Sequence, residues 1–164
     1  SVRNDKPRVG TYNGNTRGSN DMYQKASLML HTLRSVIDND SLWFALIEGI
    51  SYEFKHKNID GIDVINYINL MIKRDFSTFF NQYLYNKNLP VLEYKIQSNS
   101  NNYSLIYRWD AINNFKMRIK VNDGNNNIWI TPNDSWQELS LELNDIKDFS
   151  IRKDLFFIET KKIK

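Results

Sequence analysis

The stretch FFNQYLYNKNLPVLEYKI, residues 79–96, contains the point at which the chain changes from one kind of secondary structure to another. Before Leu89 and Pro90, apolar residues recur at helical spacing, and after them apolar and polar residues alternate as in a strand. The pattern predicts an α+β fold, in which an N-terminal helical bundle segment is followed by a small antiparallel β-sandwich. The predicted domains are residues 1–88 and residues 89–164.

Upstream of this point, the apolar spacing predicts a series of helices. They are expected over residues 20–38, 41–56, from a cap at Asp60 to about residue 72, and 75–86. The first helix is apolar on several sides. Its predicted stripe consists of Met22, Ala26, Leu30, Leu33 and Ile37, widened by Leu28, Met29 and Val36. So broad an apolar surface is typical of a helix inside a larger assembly, and we therefore expect part of it to be exposed in this chain.

Downstream, short alternating segments predict strands. The clearest is FKMRIKV, residues 115–121, whose lysines and arginine are expected on the solvent side of the strand. The other predicted strands cover residues 92–96, 103–109, 128–130, 136–143, 149–151 and 155–159. Strands this short, each with one polar face, favour an antiparallel sandwich.

The composition excludes several classes of function. The 164 residues are 41% hydrophobic and 13% aromatic, which is enough for a core, and they include no cysteine, so disulfides and thiolate zinc sites are excluded. A net charge of +3, with aromatic residues alternating into the predicted core, argues against nucleic-acid binding. No apolar run is long enough to span a membrane, and the first residues do not resemble a signal peptide. The compartment stays open between cytoplasmic, periplasmic and secreted.

The residues alone do not assemble a catalytic or metal site. The two histidines, His31 and His56, fall on different predicted helices, and no His-Glu-x-x-His spacing, Gly-rich phosphate loop or Gly-x-Ser-x-Gly occurs. We interpret His31 as a packed, hydrogen-bonded histidine and His56 as a charge at a helix C-terminus. Glu48 and Glu53 are expected at the solvated surface. No metal ligand and no cofactor-binding residue is therefore predicted in this chain.

Two segments carry a resemblance to a known family. DMYQKASLMLHTLR, residues 21–34, resembles the aminopeptidase N family of zinc metallopeptidases, the gluzincins, in which a Tyr-x-Lys-Gly element opens a helix. Tyr23 and Lys25 match that element, whereas Ala26 replaces its glycine. The second segment, FFNQYLYNKNLPVLEY, resembles the family's helix end that leads into a Pro-x-Leu strand. The resemblance covers most of residues 9–96 and extends loosely over the strands as the family's β-domain.

The resemblance implies a site that is divided between this chain and residues upstream of it. In the family, zinc is held by the histidines of His-Glu-x-x-His and by a later glutamate, all upstream of the tyrosine element, and none of them is present here. Zinc is therefore expected in the full-length protein and not in this chain. Tyr23 is the candidate catalytic residue, because the family's tyrosine donates its phenolic hydrogen to the tetrahedral intermediate. The implied partners are a peptide substrate and the upstream half of the catalytic domain.

The preferred hypothesis is a C-terminal fragment of a zinc aminopeptidase-like metallopeptidase, inactive alone, whose intact protein removes N-terminal residues from peptides. A non-catalytic relative of the same fold, acting as a binding or scaffold module, is the first alternative. A stand-alone interaction domain is the second, and it requires both matching segments to be coincidences. The sequence upstream of Ser1 would separate the first two, because it either contains or lacks the zinc-binding segment.

Overall fold

The computed structural model describes residues 2, 4, 6, 7, 9, 22–99 and 102–164 of the chain. Its helices are α1 (Met22–Ile37), α2 (Asp40–Glu53), α3 (Gly61–Ile72) and α4 (Ser77–Phe80), which continues as a π-helical turn over Asn81–Tyr85. Its strands are β1 (Val91–Asn99), β2 (Asn102–Asp110), β3 (Ile119–Asp123), β4 (Asn127–Ile130), β5 (Gln137–Leu141), β6 (Phe149–Ile151) and β7 (Glu159–Lys162). Helices first and strands after them confirm the predicted α+β fold. Within the described residues, no helix has the length and apolarity needed to cross a bilayer.

Local sequence explains where the middle helices begin. The side chain of Asn39 accepts a hydrogen bond of 2.9 Å from the backbone nitrogen of Leu42 and so caps α2. At the start of α3, the backbone nitrogen of Asp60 donates to the side-chain carboxylate of Asp63 at 2.9 Å. Helix α3 ends where Lys73 adopts a left-handed conformation with φ of 55°.

The strands form two sheets. One has the order β5-β2-β1-β7 and the other the order β4-β3-β6. Strands β1 and β2 form a long antiparallel hairpin, whereas β7 returns from the end of the chain to pair with β1 in parallel, with Val91 opposite Glu159. The segment predicted as a strand over residues 155–159 is irregular until β7 begins at Glu159, although Phe156 and Ile158 are buried in it.

Helices and strands share one hydrophobic core. Among its completely or almost completely buried members are Leu33 of α1, Phe79 of α4, Leu92 of β1, Ile119 of β3 and Phe156 of the last connection. The described helices therefore pack onto the strands. The division into domains at residues 88 and 89 stays a prediction.

Helix α1 buries a different stripe from the predicted one. The buried residues are Lys25, Met29, Thr32, Leu33, Val36 and Ile37. Leu30, expected in the stripe, is 41% exposed, and Leu28 is 37% exposed. The stripe is shifted because two polar side chains lie inside it, which apolar periodicity does not reveal.

The predicted solvent side of FKMRIKV is also different in the structure. Strand β3 begins only at Ile119, yet Phe115 and Met117 are buried as the alternation predicted. Arg118 does not lie in solvent, because its guanidinium donates to the carbonyl oxygen of Val36 at 2.9 and 2.8 Å. The last carbonyls of a helix have no intrahelical donor, and α1 ends over this face of the strand.

Candidate functional site

Tyr23 is the second residue of α1, and its side chain is 79% exposed. Its backbone carbonyl accepts a hydrogen bond of 2.7 Å from the hydroxyl of Ser27, one turn later. Among the residues that the structure describes, no group is hydrogen-bonded to the Tyr23 hydroxyl. Tyr23 is therefore not a core aromatic residue, and its phenol faces outward as a hydrogen-bond donor.

Lys25, two positions later, faces in the opposite direction. Its side chain is completely buried, and Nζ donates to the carbonyl oxygens of Lys87 at 2.9 Å and Asn86 at 3.3 Å. Residues two apart on an α-helix are separated by roughly 200° around its axis. The inward lysine and the outward tyrosine are thus two consequences of one helix orientation.

The carbonyl groups that receive Lys25 belong to a loop held by its own hydrogen bonds. Gln82, only 2% exposed, donates from Nε2 to the carbonyl of Asn88 at 2.8 Å and accepts from the backbone nitrogen of Ile112 at 2.9 Å. The side chain of Asn86 donates to the carbonyl of Asn81 at 3.3 Å. The loop is therefore fixed both to the π-helical turn and to the chain after β2.

The two segments that carry the family resemblance thus meet in space. The lysine of the Tyr-x-Lys element contacts the loop of the second segment, at a sequence separation of 61 and 62 residues. The tyrosine of the same element stays on the outer surface. Sequence reasoning missed this link, although a lysine in line with the apolar residues Met29 and Leu33 was a signal for a buried, hydrogen-bonded ammonium group.

The histidines do not take part in this arrangement. His31 is exposed, and its Nε2 lies 3.0 Å from the carbonyl oxygen of Asp154, which can only accept, so this nitrogen donates. His31 is hydrogen-bonded as predicted, but it is not packed, because it lies at the rim of a polar surface depression between α1 and β3. His56 is exposed in the turn after α2 ends at Glu53.

The depression beside His31 is lined by charges that pair with each other. Arg34 binds Asp40 at 2.9 Å, and Lys120 binds Asp38 at 2.9 Å. The Arg34 guanidinium lowers the pKa of the Asp40 carboxyl through a hydrogen bond. These four residues form ion pairs at the surface, and no catalytic role is assigned to them.

The residues that the structure describes do not fit the zinc that the resemblance implies. Within them, no group of three or more histidine, aspartate or glutamate side chains converges in a way that would hold a metal ion. No catalytic step through a metal is therefore derived for this chain. On α1, the phenol hydroxyl of Tyr23 is an exposed group of this chain that can act as a hydrogen-bond donor.

No protein-family model and no curated protein sequence matches the chain. Among solved structures, it is similar to the crystal structure of Legionella pneumophila aminopeptidase A in complex with aspartic acid, with a TM-score of 0.72 and 13% sequence identity. The similarity covers 89% of this chain but only 18% of that protein's chain. The chain therefore spans less than a fifth of the length of that relative. At this level of identity the similarity defines the fold, and the chain has an aminopeptidase-like fold.

Proposed function

We propose that this chain is the end of the catalytic domain and the following β-domain of a zinc aminopeptidase-like metallopeptidase of the aminopeptidase N family. The intact protein would remove N-terminal residues from peptides. The observation that carries the proposal is the position of Tyr23: the residue that matches the family's catalytic tyrosine lies on the exposed face of α1, in a chain with an aminopeptidase-like fold. A tyrosine that packed in the core of this chain would be expected inside it.

The chemistry of a phenol suits the proposed role. A tyrosine hydroxyl is neutral near pH 7 and donates one hydrogen bond at the end of a rigid ring. During peptide hydrolysis, negative charge develops on the former carbonyl oxygen, and a donor aimed at that oxygen stabilises the transition state more than the substrate. Tyr23 would supply that donor. The attacking water would be activated by zinc bound to residues outside this chain.

The test is peptide hydrolysis by the full-length protein. The substrate is an aminoacyl 7-amido-4-methylcoumarin, and the matched control is the same compound with an acetylated amino group. An aminopeptidase hydrolyses the first and not the second, and a chelator such as 1,10-phenanthroline abolishes the activity. Absence of hydrolysis by zinc-loaded, folded protein across a panel of amino acids would refute the proposal.

The same experiment addresses the alternative of a non-catalytic relative. Such a protein would fold and bind no zinc in stoichiometric amount, and it would hydrolyse none of the substrates. A binding role for such a relative would be favoured by two exposed aromatic residues on α2, Phe44 at 60% and Tyr52 at 83%.

A further inference from the structure

Lys25 is the most unusual buried residue of the described helices. A lysine ammonium is strongly hydrated, and its burial is unfavourable unless its hydrogens find acceptors. Here the side chain is 0% exposed and contacts two backbone carbonyls of a loop that is more than 60 residues away in sequence. An apolar residue would fill the same space without the cost of removing a charge from water, so packing alone does not explain a lysine.

The position of Lys25 on the helix gives the contact a specific effect. The first turn of a helix lacks the hydrogen bonds that its interior residues make, and helix ends open more readily than helix centres. The next hydrogen bonds from α1 side chains to a distant segment are those of His31, whose Nε2 donates to the carbonyl oxygen of Asp154 at 3.0 Å, and of Thr32, whose hydroxyl oxygen accepts from the backbone nitrogen of Phe157 at 2.8 Å. Lys25 and His31 are six positions apart, which is roughly 9 Å along the helix axis. The hydrogen bonds of Lys25 therefore attach the turn containing Tyr23 to a distant part of the chain.

We propose that Lys25 is a positioning residue for Tyr23: by binding the carbonyls of Asn86 and Lys87, it fixes the rotation and the start of α1 and so directs the phenol outward. The need for a precisely directed phenol rests on the proposed function, whereas the positioning itself does not. The lysine does not touch substrate in this proposal. It acts through the helix backbone and the loop inside the second matching segment.

The positioning can be measured without any enzymatic activity. The chain contains no cysteine, so two cysteines introduced by Tyr23→Cys and Ser140→Cys give two defined spin-labelling sites, one on α1 and one on the exposed side of β5. The distribution of distances between the labels is measured by pulsed electron paramagnetic resonance. The width of this distribution is compared among the doubly labelled parent, Lys25→Met and Thr32→Val. Methionine keeps the unbranched apolar stem and loses the donors, while valine removes the hydrogen bond between Thr32 and Phe157 and keeps the shape.

We expect Lys25→Met to widen the distance distribution at least twofold, and Thr32→Val to leave it within the width of the parent. An unchanged width in Lys25→Met would overturn the proposal. Equal widening in both variants would overturn it as well, because it would indicate general loosening of α1. If Lys25→Met does not fold, Lys25→Gln is compared with Thr32→Val by the same criteria, because its uncharged amide ends one bond short of the position of the ammonium group.

A second experiment tests whether the positioning matters for catalysis. It measures kcat and KM of the full-length protein with Tyr23 intact. Lys25→Met is expected to lower kcat at least tenfold with little change in KM, and Thr32→Val to leave kcat per folded molecule unchanged. An unchanged kcat in Lys25→Met would show that catalysis does not depend on the positioning of Tyr23 by Lys25. If the unmodified full-length protein hydrolyses no peptide, the proposed function fails, and the label distances still decide whether Lys25 positions residue 23.

Discussion

The guanidinium group of Arg118 donates hydrogen bonds of 2.9 and 2.8 Å to the carbonyl oxygen of Val36, in the last turn of α1. It also donates to Ile37 at 3.2 Å and lies 4.1 Å from the centroid of the Trp129 ring. A cation at a helix C-terminus interacts favourably with the helix dipole as well as with the free carbonyls. Arg118 thus connects α1 to the three-stranded sheet at the end of the helix opposite to Lys25.

Replacing this arginine should destabilise the fold. Arg118→Met removes the two short hydrogen bonds to the carbonyl of Val36 and leaves the longer one of 3.4 Å from Arg74, and we expect a loss of about 1.5–3 kcal/mol in the free energy of unfolding. Urea denaturation followed by tryptophan fluorescence measures it. The control is Arg34→Met, which removes an exposed ion pair with Asp40 and should cost much less. Equal losses in the two variants would contradict a special role for Arg118.

Tyr23→Phe and Tyr83→Phe make the same chemical change in two different environments. Tyr23 is 79% exposed, so its variant should keep the stability of the parent, while kcat of the full-length protein falls by roughly 10²–10³ with KM little changed. The measurements are the unfolding transition and steady-state kinetics on one preparation. Full turnover in folded Tyr23→Phe would exclude the residue from the mechanism.

Tyr83 is the matched control for that experiment. It is 1% exposed, burial raises the pKa of its hydroxyl, and the hydroxyl donates to the carbonyl of Phe157 at 2.8 Å. Removing the hydroxyl leaves a buried acceptor unpaired, so Tyr83→Phe should lose about 1–3 kcal/mol of stability. Its turnover per folded molecule should be preserved. The opposite pattern in the two variants would reverse the assignment of the structural and catalytic tyrosines.

Two glycines should respond oppositely to substitution by alanine. A methyl group on Gly49, inside α2, would collide with the hydroxyl of Tyr67 on α3, and that ring already packs edge-on against Phe54 at 5.7 Å. Although alanine favours a helix by about 1 kcal/mol, overpacking commonly costs about 1–3 kcal/mol, so a net loss is expected. Gly61, at the start of α3, has open space around it, and Gly61→Ala should be neutral or stabilising. Thermal unfolding of both variants decides this, and a more stable Gly49→Ala would show that Tyr67 moves away freely.

Glu93 makes stability depend on pH in the acidic range. Its side chain is 5% exposed, and hydrogen bonds from Lys161 at 2.8 Å and Arg108 at 2.6 Å lower the pKa of its carboxyl. Because the folded pKa lies below the unfolded value of about 4.3, the stabilisation is complete above that value and is lost as pH falls through the folded pKa. Glu93→Gln should therefore be less stable than the parent near pH 7, and the difference should shrink as the pH is lowered below 4.

Other carboxylates also titrate in the acidic range. The informative quantity is therefore the difference in the free energy of unfolding between the parent and Glu93→Gln. Asp75 and Asp123, for example, have pKa values lowered by hydrogen bonds in loops. Urea denaturation of parent and Glu93→Gln between pH 3 and 7 isolates the contribution of Glu93. A stability difference that stays constant from pH 3 to 7 would contradict the ion pairs of Glu93 with Arg108 and Lys161.

The order of secondary structure was predictable because it depends on local periodicity. The change near Pro90 and strand β6 at residues 149–151 follow directly from the spacing of apolar residues. The face that α1 buries was not predictable in this way. Lys25 and Thr32 are polar, and their burial depends on a loop and a backbone nitrogen that the fold brings to them from 62 and 125 residues away.

The candidate site was predictable only in part, and for a similar reason. Tyr23 could be proposed from its motif, but its exposure depends on how α1 is attached to the rest of the fold. Arg118 was expected in solvent because strand alternation places it on a polar face. The alternation is correct, but a helix end covers that face, and a pattern within one strand contains no information about a distant element.

The parallel pairing of β7 with β1 has a consequence for the order of folding. Strand β1 receives its partner from residues 159–162, and Thr32 and Tyr83 both bind Phe157 just before it. Contacts between such distant parts of the chain require closure of long loops, which slows folding relative to local contacts. During synthesis, the helices would leave the ribosome long before the segment that secures them. We therefore expect these helices to remain loosely packed, with apolar surface open to chaperones, until β7 emerges.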